Sequence, residues 1–447
     1  MELSGEGRGQ MNTIVSSRSL CVILSMLLAC LVALLLLGGL AVAAPDSPQR
    51  ASIAHEQAIS DIISEITTQT LAYELAGLTG ERPVVVAGSL YTIATRNSYQ
   101  TEAISMATRY VYEQLAGDDL SVAYHSYVWS GNRWRNVVAE KPGAVDPGAI
   151  YLITAHVDDL PAGELAPGAD DNGSGSVAVL MAARLLESHH FAHTLRFVLF
   201  TGEEQGLRGS DAYAADCTAQ GENVEGVINL DMIGFNSDAG RIIDLYAHTS
   251  VTASLELTRI FSDVIGVYGL DLVPNRFADI SPIRASDQWS FLQQGYPAFL
   301  VIEDTDDFTP YYHTTSDKLS TLDLDYYADT TRASVAAIAH LGRLLPEGHL
   351  SGAVHALDTG RPLSDTAVVA SCPAYRDLFT TTTDASGAYG SILPAGSYTI
   401  TVHPSLAGYR PAIVTDVLVV TGAVVVQNFT LEPWTYLCYL PLIARER

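Results

Sequence analysis

Short apolar runs separated by amphipathic stretches fill the middle of the chain. Mostly apolar residues occupy 151–155, 195–200 and 226–230, and runs of this length are typical of strands buried in a parallel sheet. Between the first two runs, apolar side chains recur at helical spacing over 173–186. This alternation predicts an α/β fold, with a mixed, mostly parallel sheet and helices on both faces.

The segment before the first run predicts two helices and two strands. Helical periodicity covers 57–75 and 100–115, and residues 122–128 and 134–139 have the composition of neighbouring strands. The sequence of this segment shows no evident chemistry. We group residues 45–346 into one domain.

The pattern changes near residue 347. Helical periodicity over 326–345 stops at Pro346, and the remaining chain alternates short β-rich runs with turns. The predicted strands lie at 351–355, 367–370, 396–402 and 424–429. We expect a small all-β sandwich over 347–432, followed by a tail at 433–447.

Acidic residues and histidines follow the carboxyl ends of the predicted strands. His156 comes directly after the first strand, Glu203 and Glu204 follow the second after a two-residue turn, and Asp231 follows the third. In open α/β sheets, ligands bind outside the carboxyl ends of the strands. We therefore expect these side chains to meet at one edge of the sheet.

Together with Asp171 and His313, the chain offers enough ligands for two metal ions. Imidazole and carboxylate ligands without a thiolate favour zinc, with manganese or cobalt as close substitutes. Two such ions about 3.5 to 4 Å apart can share one carboxylate, so five protein ligands suffice. A further glutamate is then available as a general base.

Five motifs resemble those of the co-catalytic zinc exopeptidases, metallopeptidase family twenty-eight, which includes secreted bacterial leucyl aminopeptidases. The resemblance covers roughly residues 55–345, and it implies the zinc exopeptidase fold. The motifs are His156-Val-Asp158, Pro167-Gly-Ala-Asp-Asp-Asn-Gly-Ser-Gly175, Gly202-Glu-Glu-Gln-Gly-Leu-Arg-Gly-Ser210, Asn229-Leu-Asp-Met232 and Tyr312-His-Thr-Thr-Ser-Asp317.

The resemblance implies a metal role for five residues. Asp171 would bridge two zinc ions. His156 and Asp231 would complete one site, and Glu204 and His313 would complete the other. The family also has a cis peptide bond after the bridging aspartate, which here would join Asp171 to Asn172.

Three more residues match catalytic positions of the family. Glu203 matches the general base. Asp158 matches an acid that orients the ring of His156 through its second nitrogen, as carboxylates behind metal ligands commonly do. Tyr312 matches a tyrosine that, in some members, hydrogen-bonds the developing oxyanion.

These roles predict a secreted aminopeptidase that hydrolyses N-terminal residues from peptides through a metal-bridging hydroxide. Peptide or protein N-termini are the expected partners. A carboxypeptidase of the same family, a glutaminyl cyclase and a non-catalytic binding protein are the alternatives. Long insertions typical of the carboxypeptidases are missing from the sequence, the cyclases use a related site with one zinc, and a binding protein predicts a damaged ligand set.

Two further segments carry polar residues that could belong to a site. Ser286-Asp287-Gln288 resembles a Ser-Asp-His segment of the family in which Gln288 replaces the histidine, so Asp287 is either a neighbour of the ligands or without a role. His189, His190 and His193 follow a helix, and we interpret them as a solvated turn.

The C-terminal region resembles the carboxypeptidase regulatory-like domain, of the transthyretin type. The similarity rests on Thr383-Asp-Ala-Ser-Gly-Ala-Tyr-Gly390, on Leu393-Pro-Ala-Gly-Ser-Tyr398 and on Gly408-Tyr409. This region contains no catalytic constellation, which favours a role in packing or spacing.

Charge and length restrict the classes of function. The 447 residues, 48% of them hydrophobic, can form two or three domains with substantial cores. A net charge of −26 argues against nucleic acid as a partner, because phosphate binding requires a basic face. The sequence leaves the oligomeric state open.

The N-terminal segment predicts export. Arg18 precedes an apolar stretch at 20–43 that ends in small residues, as in a signal peptide at 1–44. The stretch is also long enough to span a bilayer. The protein is therefore expected to be secreted or extracytoplasmic, with membrane attachment only if this segment is not cleaved.

Cysteine usage adds little. Cys21 and Cys30 lie in the N-terminal segment, which leaves Cys217, Cys372 and Cys438. A bridge between Cys372 and Cys438 and three free thiols are both compatible with the sequence.

Overall fold

The computed structural model describes residues 53–117, 120–160, 165–280, 284–376, 378–405 and 408–434. The predicted export segment, the tail beyond Trp434 and Cys438 lie outside these residues. Within the described ranges, no helix is both long enough and apolar enough to cross a membrane. Cys217 and Cys372 are both buried free thiols.

Eight α-helices are described, together with a π-helical turn at Ala169–Ser174 and a 3-10 turn at Leu319–Thr321. The helices are α1 Gln57–Ser64, α2 Thr68–Leu78, α3 Thr101–Leu115, α4 Gly175–Leu186, α5 Arg208–Gln220, α6 Ala253–Tyr268, α7 Gln288–Gln293 and α8 Leu324–Gly342.

The first ten strands belong to the N-terminal part of the described chain. They are β1 Val84–Val86, β2 Ser89–Tyr91, β3 Ser121–Trp129, β4 Asn132–Lys141, β5 Asp146–His156, β6 His193–Phe200, β7 Asn223–Leu230, β8 Ile242–Ala247, β9 Val273–Ala278 and β10 Ala298–Glu303. The other eight form the C-terminal sheets. They are β11 Glu347–Ala356, β12 Ala367–Ser371, β13 Leu378–Thr382, β14 Ala388–Pro394, β15 Gly396–His403, β16 Ala412–Val419, β17 Val424–Val426 and β18 Phe429–Leu431.

An eight-stranded mixed sheet forms the centre of the larger part, in the order β3-β4-β6-β5-β7-β10-β8-β9. Its middle strands β6, β5, β7 and β10 run parallel, whereas the β3–β4, β4–β6 and β8–β10 pairs are antiparallel. Since β5, β6 and β7 run in the same direction, their carboxyl ends lie at one edge. The predicted α/β class is confirmed.

Helices cover both faces of this sheet because each face carries its own apolar cluster. One cluster includes Leu75 of α2, Leu180 of α4 and Val335 of α8, which pack with sheet residues such as Phe197. The other includes Tyr213 of α5 and Phe291 of α7. All six residues of β10 and six of the eight residues of β6 are buried, which is the pattern expected of strands covered on both sides.

The predicted helix over 57–75 is wrong in one respect, because two helices occupy that stretch. The helix is interrupted between Ser64 and Thr68, and Thr67 takes an extended conformation. The Thr67 hydroxyl accepts a hydrogen bond from the Thr70 N–H, so it caps the second helix. The apolar periodicity spans both helices, which is why the break does not interrupt it.

The C-terminal residues form two four-stranded sheets, as the predicted sandwich requires. One sheet contains β14, β11, β17 and β18, and the other has the order β13-β12-β15-β16. The predicted strand over 424–429 is two short strands, both of which pair with β11. Leu350, Val368 and Ile400 belong to the apolar core between the sheets.

Two of the histidines predicted as a solvated turn, His189 and His190, instead contact the first strand of the sandwich, and the third, His193, is the first residue of β6. His189 Nδ1 lies 3.0 Å from Glu347 Oε2, and His190 Nδ1 lies 2.7 Å from Glu347 Oε1. The ring of His190 also meets Phe379 edge-on. That prediction was wrong because the sequence could not show that β11 begins beside this turn.

Candidate metal centre

Three parallel strands deliver ligands to one edge of the sheet. His156 is the last residue of β5, and Asp231 directly follows β7. Glu203 and Glu204 follow β6 after Thr201 and Gly202. Gly202 has φ +74°, a left-handed conformation that glycine adopts without steric cost, and it turns the chain at the end of the strand.

Asp171 lies in an irregular turn ahead of α4. The π-helical turn Ala169–Ser174 has non-helical dihedral angles at Asp171 and Asn172, and the peptide bond between them is cis, as the resemblance implied. The Asn172 side chain accepts a hydrogen bond from the Gly175 N–H and donates one to the Leu230 carbonyl. These bonds fix the turn against the end of β7, next to Asp231.

The first group of candidate ligands surrounds His156. His156 Nε2 lies 3.2 Å from Asp231 Oδ1 and 4.0 Å from Glu203 Oε2. The ligand atoms of these three residues all lie within 4.8 Å of one another. A single cation could therefore contact all three.

The second group surrounds His313. His313 Nε2 lies 3.0 Å from Glu204 Oε2 and 3.2 Å from Asp171 Oδ2. The other oxygen of Asp171 faces the first group, with Oδ1 3.5 Å from His156 Nε2. Asp171 thus presents one oxygen to each histidine, which is the arrangement that a bridging carboxylate needs.

The donor set fits a pair of divalent cations. In the part of the chain that the structure describes, the only cationic side chains within 4.0 Å of these carboxylates are the two histidines. Asp171 Oδ2 and Glu204 Oε1 are buried without a hydrogen bond to any described residue. Buried carboxylates at such close range require a counter-charge.

Glu204 and His313 of the second group both have raised pKa values. Burial and the neighbouring Asp171 carboxylate raise the pKa of Glu204 to about 7. Burial lowers the pKa of His313, but the close carboxylates of Asp171 and Glu204 outweigh it and raise the pKa to about 10. Metal ligands bind in their deprotonated forms, so metal binding here would displace protons.

Asp158 lies behind His156, but its contact differs from the predicted one. His156 Nδ1 is 3.1 Å from the main-chain oxygen of Asp158 and 3.9 Å from the nearest carboxylate oxygen. The carbonyl therefore orients the ring. The Asp158 carboxylate accepts a hydrogen bond from Ser98 Oγ at 2.8 Å and weaker ones from the Glu203 and Glu204 N–H groups at 3.4 Å.

Asp317 is a site residue whose role the sequence did not reveal. Its two carboxylate oxygens accept hydrogen bonds from the N–H groups of Asp170 and Asp171, at 2.9 and 3.0 Å. The Asp170 carboxylate in turn accepts one from the Gly234 N–H, just beyond Asp231. The motif Tyr312-His-Thr-Thr-Ser-Asp317 contained the signal, but only the structure identifies the backbone groups that Asp317 holds.

Tyr312 borders the cavity in front of the ligands. Its ring stacks on His313 with a centroid separation of 3.7 Å and meets Phe308 edge-on. The residue is 43% exposed and lines the cavity. Burial and the nearby carboxylates, Asp171 first among them, raise the pKa of Tyr312, which keeps the phenol protonated and able to donate a hydrogen bond.

The cavity has a volume of about 370 Å³ and combines an acidic end with an apolar wall. The acidic end contains His156, Asp171, Glu203, Glu204 and Asp231. The apolar wall is formed by Met232, Leu300, Ile302 and Phe308. Such a cavity suits a ligand with one charged or polar end and one hydrophobic side chain.

Asp287 is buried close to the first group, at the start of α7. Burial raises its pKa to about 7, while the charge of His156 opposes that rise. Gln288, which replaces the family's histidine, accepts a hydrogen bond from Asn229 at 3.2 Å. Asp287 therefore lies beside the candidate ligands, although it belongs to neither group of three.

Both parts of the described chain match known protein families. Residues 136–338 match peptidase family M28, and residues 349–432 match the carboxypeptidase regulatory-like domain. The leucine aminopeptidase 1 of Trichophyton equinum is 30% identical over 322 residues, which cover 68% of this chain and 82% of that protein.

Two solved structures share the fold. LapA of Legionella pneumophila superposes with a TM-score of 0.56 at 22% identity, over 65% of this chain and 77% of that one. A glutaminyl cyclase of Fimbriiglobus ruber has a TM-score of 0.50 at 18% identity, over 61% of this chain and 95% of that one. At these identities the likeness concerns the fold alone.

Proposed function

The chain belongs to peptidase family M28, and we propose that it is a dizinc aminopeptidase that removes N-terminal residues from peptides. Leucine aminopeptidases are among its relatives at about 30% identity. In this proposal, His156, Asp231 and Asp171 bind one zinc, and Glu204, His313 and Asp171 bind the other. Manganese and cobalt are chemically close substitutes.

The observation that carries the proposal is the placement of Asp171 between the two histidines. One of its oxygens faces His156 at 3.5 Å and the other faces His313 at 3.2 Å. If Asp171 bound a single metal, only one of its oxygens would have to lie beside a histidine ligand. Two ions that share Asp171 would satisfy both sides of it.

Glu203 is proposed as the general base. When bound, zinc supplies Lewis acidity, which polarises a scissile carbonyl and makes water more acidic. Glu203 lies among the ligands without being needed for either proposed metal, so it is available to accept the proton of the attacking water. The protonated Glu203 then donates that proton to the leaving amine. Tyr312 is proposed to hydrogen-bond the oxyanion that forms in between.

The cavity supports a substrate with an apolar first side chain. A free N-terminus is proposed from the leucine aminopeptidases among the relatives, because two zinc ions would neutralise the four carboxylates at the acidic end. Met232, Leu300 and Ile302 are buried and offer no charge to a substrate side chain. We therefore propose a preference for leucine-sized apolar residues.

Two proposals rest on the sequence alone. Residues 45–346 are assigned to the catalytic domain and 347–432 to an accessory sandwich, with a tail at 433–447. The apolar stretch at 20–43 behind Arg18 supports export of the protein. Intact-mass measurement of protein collected from the medium tests the export proposal, and a retained 20–43 stretch would favour an anchor.

The test of the reaction compares aminoacyl-p-nitroanilides with their N-acetylated counterparts, using metal-free and zinc-restored protein. We expect zinc-dependent release of p-nitroaniline from the free-amine substrates only, fastest with leucine or a similar side chain. Cleavage of the acetylated substrates at equal rates would contradict the proposal. Release of ammonia from a peptide with N-terminal glutamine, without cleavage of any anilide, would identify a cyclase instead.

A further inference from the structure

Asn136 is a buried residue of β4 that holds both ends of the segment carrying the two glutamates. Its Oδ1 accepts a hydrogen bond from the Thr201 N–H at 3.0 Å, and its Nδ2 donates one to the Gly209 carbonyl at 2.9 Å. Residues 202–208 lie between these two anchor points. Resting on the proposed function, we infer that Asn136 is a positioning residue for Glu203 and Glu204.

The sheet explains why a side chain is needed at this point. The antiparallel ladder between β4 and β6 ends at the pair Val137 and Leu199. Asn136 is the next residue of β4 beyond that pair, and its amide takes the Thr201 N–H that the ladder no longer reaches. The Asn136 side chain thus continues the strand pairing into the turn.

The orientation of the amide is fixed by its three partners. A backbone N–H requires an acceptor and a backbone carbonyl requires a donor, so Oδ1 must face Thr201 and Nδ2 must face Gly209. The second N–H of the amide is directed at His125 Nδ1, which lies 3.0 Å away. His125 Nε2 in turn lies 3.0 Å from Asp216 Oδ2. Rotation of the amide by half a turn would break both of its hydrogen bonds to the backbone.

The segment between the anchors is compact and has little freedom once its ends are fixed. The N–H groups of Gly206 and Leu207 both bond to the Glu203 carbonyl, and the Arg208 N–H bonds to the Gly202 carbonyl. The ends approach so closely that a Cβ at Gly209 would collide with the Thr201 carbonyl and with Asn136 Oδ1. Tyr127 also holds Thr201, through its carbonyl, but does not reach the far end.

This geometry predicts that Asn136 governs a base and a metal ligand together. Because Glu203 and Glu204 are neighbours on one segment, a shift of that segment displaces both carboxylates. A displacement of about 1 Å at a reacting group can reduce the rate by about 100-fold. Truncating Asn136 should therefore lower kcat and weaken the zinc held by Glu204 and His313, although Asn136 contacts neither metal nor substrate.

Thr194 provides a matched control at the opposite end of β6. Its buried hydroxyl accepts a hydrogen bond from the Gly143 N–H at 3.0 Å and donates one to the Pro147 carbonyl at 2.9 Å. Thr194→Val and Asn136→Ala therefore each remove one acceptor from a backbone N–H and one donor to a carbonyl. Apart from the contact with His125, which only Asn136 makes, the two variants differ in whether the freed groups belong to the glutamate segment.

The experiment measures kcat and KM on leucine-p-nitroanilide, zinc affinity by competition with a chelator, and the urea midpoint for each variant. For Asn136→Ala we expect a fall in kcat of about 100-fold with KM changed less than about threefold, and a loss of affinity for the zinc held by Glu204 and His313. For Thr194→Val we expect a urea midpoint close to that of Asn136→Ala, but a kcat and a zinc affinity equal to those of the wild type. Equal kcat and zinc affinity in the two variants would overturn the inference.

A second variant covers the case in which Asn136→Ala does not fold. Asn136→Asp has the same shape and retains the acceptor for Thr201, but it lacks the donor to Gly209. We expect its zinc affinity and kcat to lie between those of the wild type and those expected for Asn136→Ala. Wild-type values would overturn the inference. The measurement of zinc affinity does not require turnover, so it tests the role of Asn136 even if the proposed reaction is wrong. The proposed function would fail if the wild-type protein were inactive on all anilides.

Discussion

Asp317 Oδ2 accepts a hydrogen bond from the backbone N–H of Asp171 at 3.0 Å. Its other oxygen accepts one from the Asp170 N–H, so a single carboxylate holds two successive peptide groups. Asp317 comes shortly after His313 in the chain. It therefore joins the loop of one candidate metal ligand to the backbone of the ligand proposed to bridge both metals.

Asp317→Asn tests this connection. The amide has one acceptor oxygen where the carboxylate has two, so one backbone N–H loses its partner and meets an NH2 group instead. Partners behind metal ligands typically change metal affinity or activity by about 10- to 100-fold, and we expect a loss of zinc affinity in that range. Competition with a chelator measures it.

Asp323→Asn is the control for Asp317→Asn. Asp323 Oδ1 accepts from the N–H groups of both Asp325 and Tyr326 at the start of α8, and an asparagine oxygen can keep both bonds. The variant loses the contacts of Oδ2 with Asn236 and Arg241, so it should destabilise the fold through a lost carboxylate oxygen and leave zinc affinity unchanged. If both variants lose zinc equally, Asp317 has no special relation to the metal centre.

Glu203→Gln tests the general base. The amide cannot accept a proton, and general base catalysis typically contributes about 10²- to 10⁴-fold, so turnover should fall by at least that factor while both zinc ions are retained. Zinc content by atomic absorption and kcat on leucine-p-nitroanilide give the two numbers. Glu204→Gln is the companion, and it should lose one zinc. Turnover of Glu203→Gln close to wild type would rule out this residue as the base.

Tyr312→Phe tests the oxyanion contact. The ring and its stacking on His313 are kept, so the change removes only the hydroxyl. We expect kcat to fall by about 10- to 100-fold with little change in KM, because a polarised carbonyl would still have the metal as a partner. Tyr311→Phe is the neighbouring control and should be neutral. Equal activity of the two variants would exclude the Tyr312 hydroxyl from the reaction.

Glu347 links the sandwich to the turn that contains His189 and His190. Burial alone would raise the pKa of Glu347, but hydrogen bonds from the two histidines outweigh it and lower the pKa from 4.5 to about 2. A lowered pKa in the folded state means that Glu347 stabilises the fold above about pH 4.5. This contribution is lost as the pH falls from about 4.5 to about 2.

Glu347→Gln should remove that pH-dependent stability. The shift corresponds to about 3 kcal/mol at most, so the wild type should exceed the variant by up to that amount at pH 6 and by much less at pH 3. Urea unfolding at both pH values measures the difference. Activity on small substrates at pH 7 should be unchanged, since Glu347 is not part of the cavity. A wild-type advantage of the same size at both pH values would show that the ionised carboxylate is not responsible.

The positions of four site residues, His156, Glu203, Glu204 and Asp231, were predictable because each follows a strand, whereas Asp171 and His313 were identified by the resemblance. A run such as 226–230 is recognisable from apolar side chains alone, and a parallel sheet brings the residue after each run to a common edge. The sequence alone therefore predicts that His156 and Asp231 lie at the same edge of the sheet. The break between α1 and α2 was not predictable, since apolar spacing continues across Thr67.

Contacts between side chains and backbone groups could not be predicted from the sequence. Asp158 was identified, but its carbonyl rather than its carboxylate faces His156, and the residue type cannot distinguish them. Asn136 lies in a segment where the sequence showed no chemistry, because a single polar residue in a strand resembles any solvent-facing position. Only the pairing of β4 with β6 brings Asn136 to the glutamate segment.

The most direct test of the dizinc aminopeptidase is a titration of metal-free protein with zinc. Bound metal and the rate of hydrolysis of leucine-p-nitroanilide would be followed together, beside the N-acetylated substrate. The account predicts binding of two zinc ions per chain, full activity only when the second is bound, and no cleavage of the acetylated substrate. Full activity with one zinc per chain, or none on the free-amine substrate with both sites filled, would contradict it.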